Sequence, residues 1–557
     1  MKRCSTLGIT PVLAALLVFA GAERSKADET TLRSNTRLVQ VSVVAMDSKS
    51  RPVVDLKRED FQLFDDKKRQ DLRVFSVDRV EQASSGAQTP PGDGVFTNTT
   101  NERSVATGIT VIVLDSLNTQ WTDQSQATKQ VLRFLRQIQP GDRVAIYSLG
   151  YGGFRVLHDF TRDASDLVER LANWTGEIPR PESGLAKPDL GSALATVLTG
   201  RDARHLASQF MGGKDIHYVP GTLKALQAIA RRLEGIPGRK NLIWISDGFP
   251  ELEWGNLVAT SRAGPLHDYK GPVLVGETHD SIGDTFPYRN DLLGAMKFIS
   301  EANIAVYPVE ARGLLTEMPE DGDPWGFIKR EEILYQQSTQ EAMLEIAQKT
   351  GGRAFLNDNH VADAIREAIE DSRVTYTLGF YVDANHIDGK FHNISIKLPG
   401  RRDVTLRYRS GYVNEVFSPA DRQRRARDLD QAFWSPLDAN AIPLKGKVEN
   451  AGNGRANIDL NIGLENLGLT PEDGKRKGEV DILILQRNET GEVFGRVNET
   501  IQMGLREETY EKFLAVGVPY QHAIELDPRS TVIRVIVRDA ANGNLGSVTI
   551  PATAVPN

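Results

Sequence analysis

From residue 108 onward the chain alternates short, wholly apolar runs with amphipathic stretches, and no other feature restricts the fold as much. Ile109–Leu114 is apolar except for the β-branched Thr110, and Val144–Tyr147, Leu242–Ile245 and Ile304–Val309 repeat the type. A strand apolar at every position must be buried on both faces, which is the situation of a parallel sheet covered by helices. The intervening stretches supply the helices. Ala127, Val131, Leu135 and Ile138 share one helical face that stops at Pro140-Gly141, and Leu223, Leu226, Ala230 and Leu233 share another that stops at Pro237-Gly238. Further helices are expected over Asp163–Asn173, Asp291–Ser300, Glu341–Lys349 and 361–371. The reading over 107–373 is therefore an α/β domain with a doubly wound, mostly parallel sheet. Two stretches rich in Gly, Pro and polar residues, 174–220 and 250–289, interrupt it and are candidate functional loops.

The flanks alternate with period two instead. Val39, Val41, Val43 and Ala45 fall on one face of a strand, and Phe61–Phe64 and Leu72–Val77 follow around the charged turn Asp65-Asp66-Lys67-Lys68, so 35–82 reads as a small β module. Residues 83–106 have a linker's composition. A β extension is expected at 374–415 and a linker at 416–440, whose Arg422, Arg424, Arg425 and Arg427 are partly balanced by Asp421, Asp428 and Asp430 and read as a solvated helix. Strands such as Ile458–Leu464, Val480–Leu485 and Ile533–Val537 suggest a C-terminal β-sandwich over 441–557.

Lys2 and Arg3 precede an apolar run from Ile9 to Phe19 and then Ala20-Gly21-Ala22, the pattern of a secretory signal peptide, assigned to 1–27. Export to the periplasm or beyond is the expectation, with no integral membrane segment after cleavage. The single cysteine, Cys4, lies in that peptide, so the mature chain has no disulfide or thiolate metal site. The net charge of −7, more acidic once Lys2 and Arg3 are removed, offers nucleic acid little electrostatic attraction.

Ligands of open parallel sheets bind beyond the C-terminal strand ends. There the first strand runs into Asp115-Ser116-Leu117-Asn118-Thr119, the helix at 223 follows Gly221-Thr222, and the strand at 242 runs into Ser246-Asp247-Gly248. Taken singly, each is an ordinary cap or turn. Together, two carboxylates and several hydroxyls make a hard, oxygen-rich set suited to Mg²⁺, Mn²⁺ or Ca²⁺. These elements resemble the von Willebrand factor A domain and its metal-ion-dependent adhesion site, whose pattern is Asp-x-Ser-x-Ser, a distant Thr and a distant Asp. The resemblance implies metal ligation by Asp115, Thr119 in place of the second Ser, Thr222 and Asp247; Leu117 stands at the first Ser position and supplies no ligand.

Val53-Val54-Asp55-Leu56, Glu59-Asp60-Phe61, Pro140-Gly141-Asp142-Arg143-Val144, Gly238-Arg239-Lys240-Asn241-Leu242 and Arg409-Ser410-Gly411-Tyr412 are further similar to exported VWFA-related proteins of Acidobacteria. Two functions stay open on this resemblance. One is capture of an acidic group on a protein partner through a bound Mg²⁺; the other is a metal-independent extracytoplasmic scaffold. A hydrolase is the third reading, and an enzyme is not expected. No His-Glu-x-x-His, Gly-x-Ser-x-Gly, Walker A or Gly-x-Gly-x-x-Gly motif occurs, and His158-Asp159 has no evident nucleophile.

Overall fold

The computed structural model describes residues 36–79, 94–99, 108–139, 142–150, 152–176, 221–248, 289–312, 327–357, 360–383, 390–414, 422–488 and 490–554. The signal-peptide assignment and most of the two interrupting stretches lie outside them. The central sheet is built from β1 (Ile109–Asp115), β2 (Arg143–Gly150), β3 (Gly153–Thr161), β4 (Lys240–Ser246) and β5 (Ile304–Glu310). Its order is β5-β4-β1-β2-β3, parallel throughout except for β3, which returns antiparallel beside β2. β3 escapes an apolar-run reading because it is an edge strand with four of its nine residues exposed and none fully buried.

The helices are α1 (Trp121–Leu135), α2 (Ala164–Ala172), α3 (221–233), α4 (Arg289–Glu301), α5 (Phe327–Thr350) and α6 (Val361–Glu370). Alternate strand residues face opposite helix layers. Val111, Tyr147, Trp244 and Val306 pack with Leu226 and Leu233 of α3, Ile299 of α4 and Ile346 of α5. Ile112, Ile146, Ile243 and Tyr307 pack with Val131 and Leu135 of α1, Leu167 of α2 and Ile365 of α6. Each fully buried aliphatic side chain in these layers contributes about 1.5–3 kcal/mol, so the apolar runs hold the sheet between its helices.

The first flank differs in its connections from the linear reading. Thr36–Met46 pairs antiparallel with Val374–Asp383 and Thr405–Arg407, while Phe391–Lys397 pairs with Gln62–Asp65 and Gly411–Val413. Val41, Leu63, Tyr376, Leu378, Ile396 and Tyr412 share one core, so the segments read as an N-terminal module and a later extension form a single β unit closed around the central domain's two chain ends.

The C-terminal region is two packed sheets sharing Leu460, Ile462, Ile482, Val535 and Ile550 in one core, as alternation predicts. Val95–Thr97, inside the stretch read as linker, adds an edge strand to it by pairing with Lys445–Lys447. Buried Asn98 fixes that strand, donating to the Ala439 and Ile442 carbonyls and accepting from Leu444 N–H. The helix Arg422–Trp434 is not simply solvated either: Leu429, Ala432 and Phe433 pack on Leu483, Leu485 and Ile536 of the sandwich.

Candidate functional site

All four residues of the expected set, Asp115, Thr119, Thr222 and Asp247, are buried at the C-terminal edge of the parallel sheet, where the order reverses between β1 and β4. The chain after β1 turns sharply, because Ser116 and Leu117 N–H both reach the Leu149 carbonyl of β2. That turn folds the backbone over Asp115, whose Oδ1 accepts from Leu117 N (3.1 Å) and Asn118 N (3.0 Å). Its Oδ2 accepts from the Asn118 amide (2.7 Å) and from the Trp244 indole N–H (2.9 Å). Burial pushes the Asp115 carboxyl above its usual range, and these donors oppose the shift.

Thr222 opens the same cluster on α3: Asn118 Nδ2 lies 3.4 Å from its Oγ1 and so bridges it to Asp115. An amide between two acceptors must present its NH₂ group, not its oxygen. Thr119 and Asp247 form a second pair. Thr119 Oγ1 accepts from Asp247 N (3.2 Å), and Asp247 Oδ2 accepts from Gln120 N (2.7 Å), so the carboxyl group just after β4 satisfies an N–H at the start of α1. Leu117, at the position where the adhesion pattern has serine, packs against Gly221, where a Cβ would lie 3.0 Å from its Cδ2, and joins the apolar layer beneath.

Mg²⁺ requires several oxygen ligands in a near-octahedral shell. Here both Asp115 oxygens are taken by four N–H donors, a donor group stands between Asp115 and Thr222, and Leu117 offers nothing. Among these carboxylate oxygens only the buried Asp247 Oδ1 has no hydrogen-bond partner. The buried Ser116 hydroxyl oxygen on the same loop is likewise without a partner. As the side chains stand, Asp115, Thr119, Thr222 and Asp247 are tied together by hydrogen bonds rather than presented as an open oxygen shell for Mg²⁺, Mn²⁺ or Ca²⁺.

Asp247 carries the cost of this arrangement. Burial, then the neighbouring Asp123 carboxylate, pushes its pKa up to about 8 from an ordinary value of 3.8. The folded chain thus holds a proton that the unfolded chain releases, and stability falls as pH rises between those two values and levels off above the upper one. Asp247→Asn, which cannot ionise, is expected to gain on the wild type in melting temperature between pH 5 and pH 8. Melting curves at several pH values check this, and a difference that stays constant with pH would contradict it.

Asn118, Gln120 and Trp244 are the functional residues that the adhesion pattern does not include. Trp244 had a legible signal, since an indole in a strand buried on both faces needs an acceptor for its N–H. Asn118 had only its position. The His158-Asp159 pair does not assemble a catalytic arrangement: His158 Nδ1 lies 2.6 Å from the Asp159 carbonyl, while the Asp159 carboxylate pairs with Arg232 (2.7 Å) and accepts from Tyr147.

No helix among the described residues is long and apolar enough to cross a membrane. No protein-family model matches the chain, and no curated protein matches it. Among solved structures it is similar to the SpRpn10 VWA domain at 10% identity, over 47% of this chain and 95% of that one, with a TM-score of 0.20. The described residues form a mixed α/β chain with several sheets, the central one mostly parallel.

Proposed function

We propose that this is an exported protein that binds a protein partner rather than catalysing a reaction, through a doubly wound domain of the von Willebrand A type whose adhesion-site positions work without a metal. The observation that carries the reading is where the long stretches attach. Gly176 lies against Trp121 and Gln124 at the start of α1, Gly221 lies against Leu117, and Gly248 follows the end of β4, so the chain leaves for 177–220 and 249–288 beside the Asp115 cluster. Large excursions gathered at the ligand-binding edge of a parallel sheet are the usual carriers of recognition on such scaffolds. At this edge the Asp115 hydrogen bonds tie the loop after β1 to β4, and Trp121, 41% exposed there, is an aromatic anchor of the kind that dominates interfaces.

The test is capture from the native envelope and medium by the purified chain from residue 28 onward, with and without Mg²⁺. The expected result is a partner retained equally in both conditions and reduced about tenfold or more by Trp121→Ala, the loss of a typical hot-spot side chain. Capture that requires Mg²⁺, or that is indifferent to Trp121→Ala, counts against the reading.

A further inference from the structure

Away from the central sheet, three side chains of the N-terminal β unit converge in a way that the Asp115 cluster does not. Asp65 ends the strand Gln62–Asp65, Asp66 begins the two-residue turn that follows, and His392 lies on the adjacent strand Phe391–Lys397. The turn is tight, with Asp66 and Lys67 both at positive φ (42° and 72°), and it brings consecutive carboxylates to the same histidine. His392 Nδ1 is 3.2 Å from Asp66 Oδ2 and 3.5 Å from Asp65 Oδ1, and one ligand atom from each residue lies within 4.8 Å of the others.

We propose that Asp65, Asp66 and His392 bind a divalent transition-metal ion of the Zn²⁺ class, with solvent completing the coordination. The hydrogen-bond pattern around the three residues supports this. Asp65 is only 9% exposed, and its Oδ1, which faces His392, is buried without a hydrogen-bond partner. A single Nδ1–H could serve at most one of the two carboxylates well, whereas a cation between the three groups satisfies both. The outward oxygens are already held by other donors: Tyr412 O–H donates to Asp65 Oδ2 (3.0 Å), and Asn393 N and Nδ2 donate to Asp66 Oδ1 (3.0 and 3.3 Å). Tyr412 also stacks on the His392 ring at 5.3 Å, fixing its plane. Ligating carboxylates and histidines held by such outer partners are the normal construction of a metal site.

The spacing agrees as well. Bonds of about 2.0–2.2 Å in a tetrahedron set ligand atoms about 3.3–3.6 Å apart, close to the two separations from His392. One imidazole with two carboxylates favours Zn²⁺ over Mg²⁺, which prefers an all-oxygen shell. Asp66 is half-exposed, so the ion has a path in and a side open to water.

The test uses the chain from residue 28 onward, stripped with chelator, equilibrated with Zn²⁺, passed through gel filtration and assayed for bound metal. One retained Zn²⁺ per chain is expected, undisturbed by millimolar Mg²⁺, and lost in His392→Gln and in Asp66→Asn. The half-exposed Asp66 makes its variant safe for folding, which circular dichroism verifies. Tyr412→Phe, which removes the hydroxyl that positions Asp65 and keeps the ring stacked on His392, is expected to weaken Zn²⁺ binding by about tenfold. His522→Gln is the control, because His522 meets a single carboxylate, Glu499, at 3.2 Å; it is expected to retain the ion. Absence of retained Zn²⁺, or equal retention by His392→Gln, overturns the proposal. Neither result bears on partner capture at the Asp115 edge.

Discussion

Asp115→Ala is expected to lose about 4–5 kcal/mol of stability, the upper end of single-substitution effects, measured by urea unfolding with an unchanged m-value. The size follows from the number of partners. The carboxylate accepts Leu117 N, Asn118 N, Asn118 Nδ2 and Trp244 Nε1 inside the protein, and alanine removes that acceptor from all four. Each buried donor left alone costs about 1–3 kcal/mol, reduced where water can enter the new space. Asp115→Asn is expected to fall between alanine and wild type. Its oxygen can keep the two backbone donors, but its NH₂ then faces the Trp244 and Asn118 N–H groups. Asn118→Ala should cost least of the three, because it removes one donor together with its bond. An Asp115→Asn variant as stable as wild type would show that the Oδ2 contacts contribute nothing.

The second large effect lies where the domains meet. Asp428, on the helix Arg422–Trp434, accepts from Arg231 of α3 through Oδ1 (2.8 Å) and from Arg538 of the sandwich through Oδ2 (3.3 Å). The Arg231 and Arg538 side chains are 5% and 1% exposed. Asp428→Ala is therefore expected to cost about 3–5 kcal/mol, because a buried charge that loses its partner is not rehydrated. Arg538 keeps Asp481 at 3.6 Å, so more of the deficit falls on Arg231, which retains the Phe298 ring 4.0 Å away and the charge of Glu234. Pairing Asp428→Leu with Arg231→Met should recover much of the loss, since the charge is removed along with its counter-charge. Calorimetry that resolves the sandwich from the α/β domain is the readout. In the single variant the two transitions should separate, and a single unshifted transition would contradict the role given to this pair.

How far these features were legible in the sequence depends on the range of the interaction. The parallel strands announced themselves because burial on both faces leaves a continuous apolar run, as in Ile109–Leu114 and Leu242–Ile245. The same rule hid β3, an edge strand with a wet face. The placement of Asp115, Thr119, Thr222 and Asp247 at one edge was legible, since strand ends and helix starts fix it. Their chemistry was not, because it depends on where Asn118 and Trp244 point, and a type-by-type match with an adhesion pattern does not report that. Leu117 was the local warning. The joining of Thr36–Met46 to Val374–Asp383 was hidden for another reason: strand pairing across more than three hundred residues leaves each strand's pattern unchanged whichever partner it takes. The helix Arg422–Trp434 looked solvated because its buried residues, Leu429, Ala432 and Phe433, are few among charges.

The Asp65–Asp66–His392 cluster illustrates the same limit from the other side. Asp65-Asp66-Lys67-Lys68 reads as a charged turn, which it is, but the histidine it meets is carried by a strand far along the chain. Only the pairing of Ile394 with Asp65 brings them together.

We propose that the edge of the parallel sheet, held by its own hydrogen bonds, works without a cation. The most direct measurement is thermal unfolding of the His392→Gln chain, which removes the competing site, across a titration of Mg²⁺, Mn²⁺ and Ca²⁺ into the millimolar range. Any ion that binds the native edge at a hundred times its dissociation constant must add about 2.7 kcal/mol. The predicted result is a melting temperature that does not move. A rise that is saturable, and that disappears when Asp247 is changed to Ala, would contradict the account.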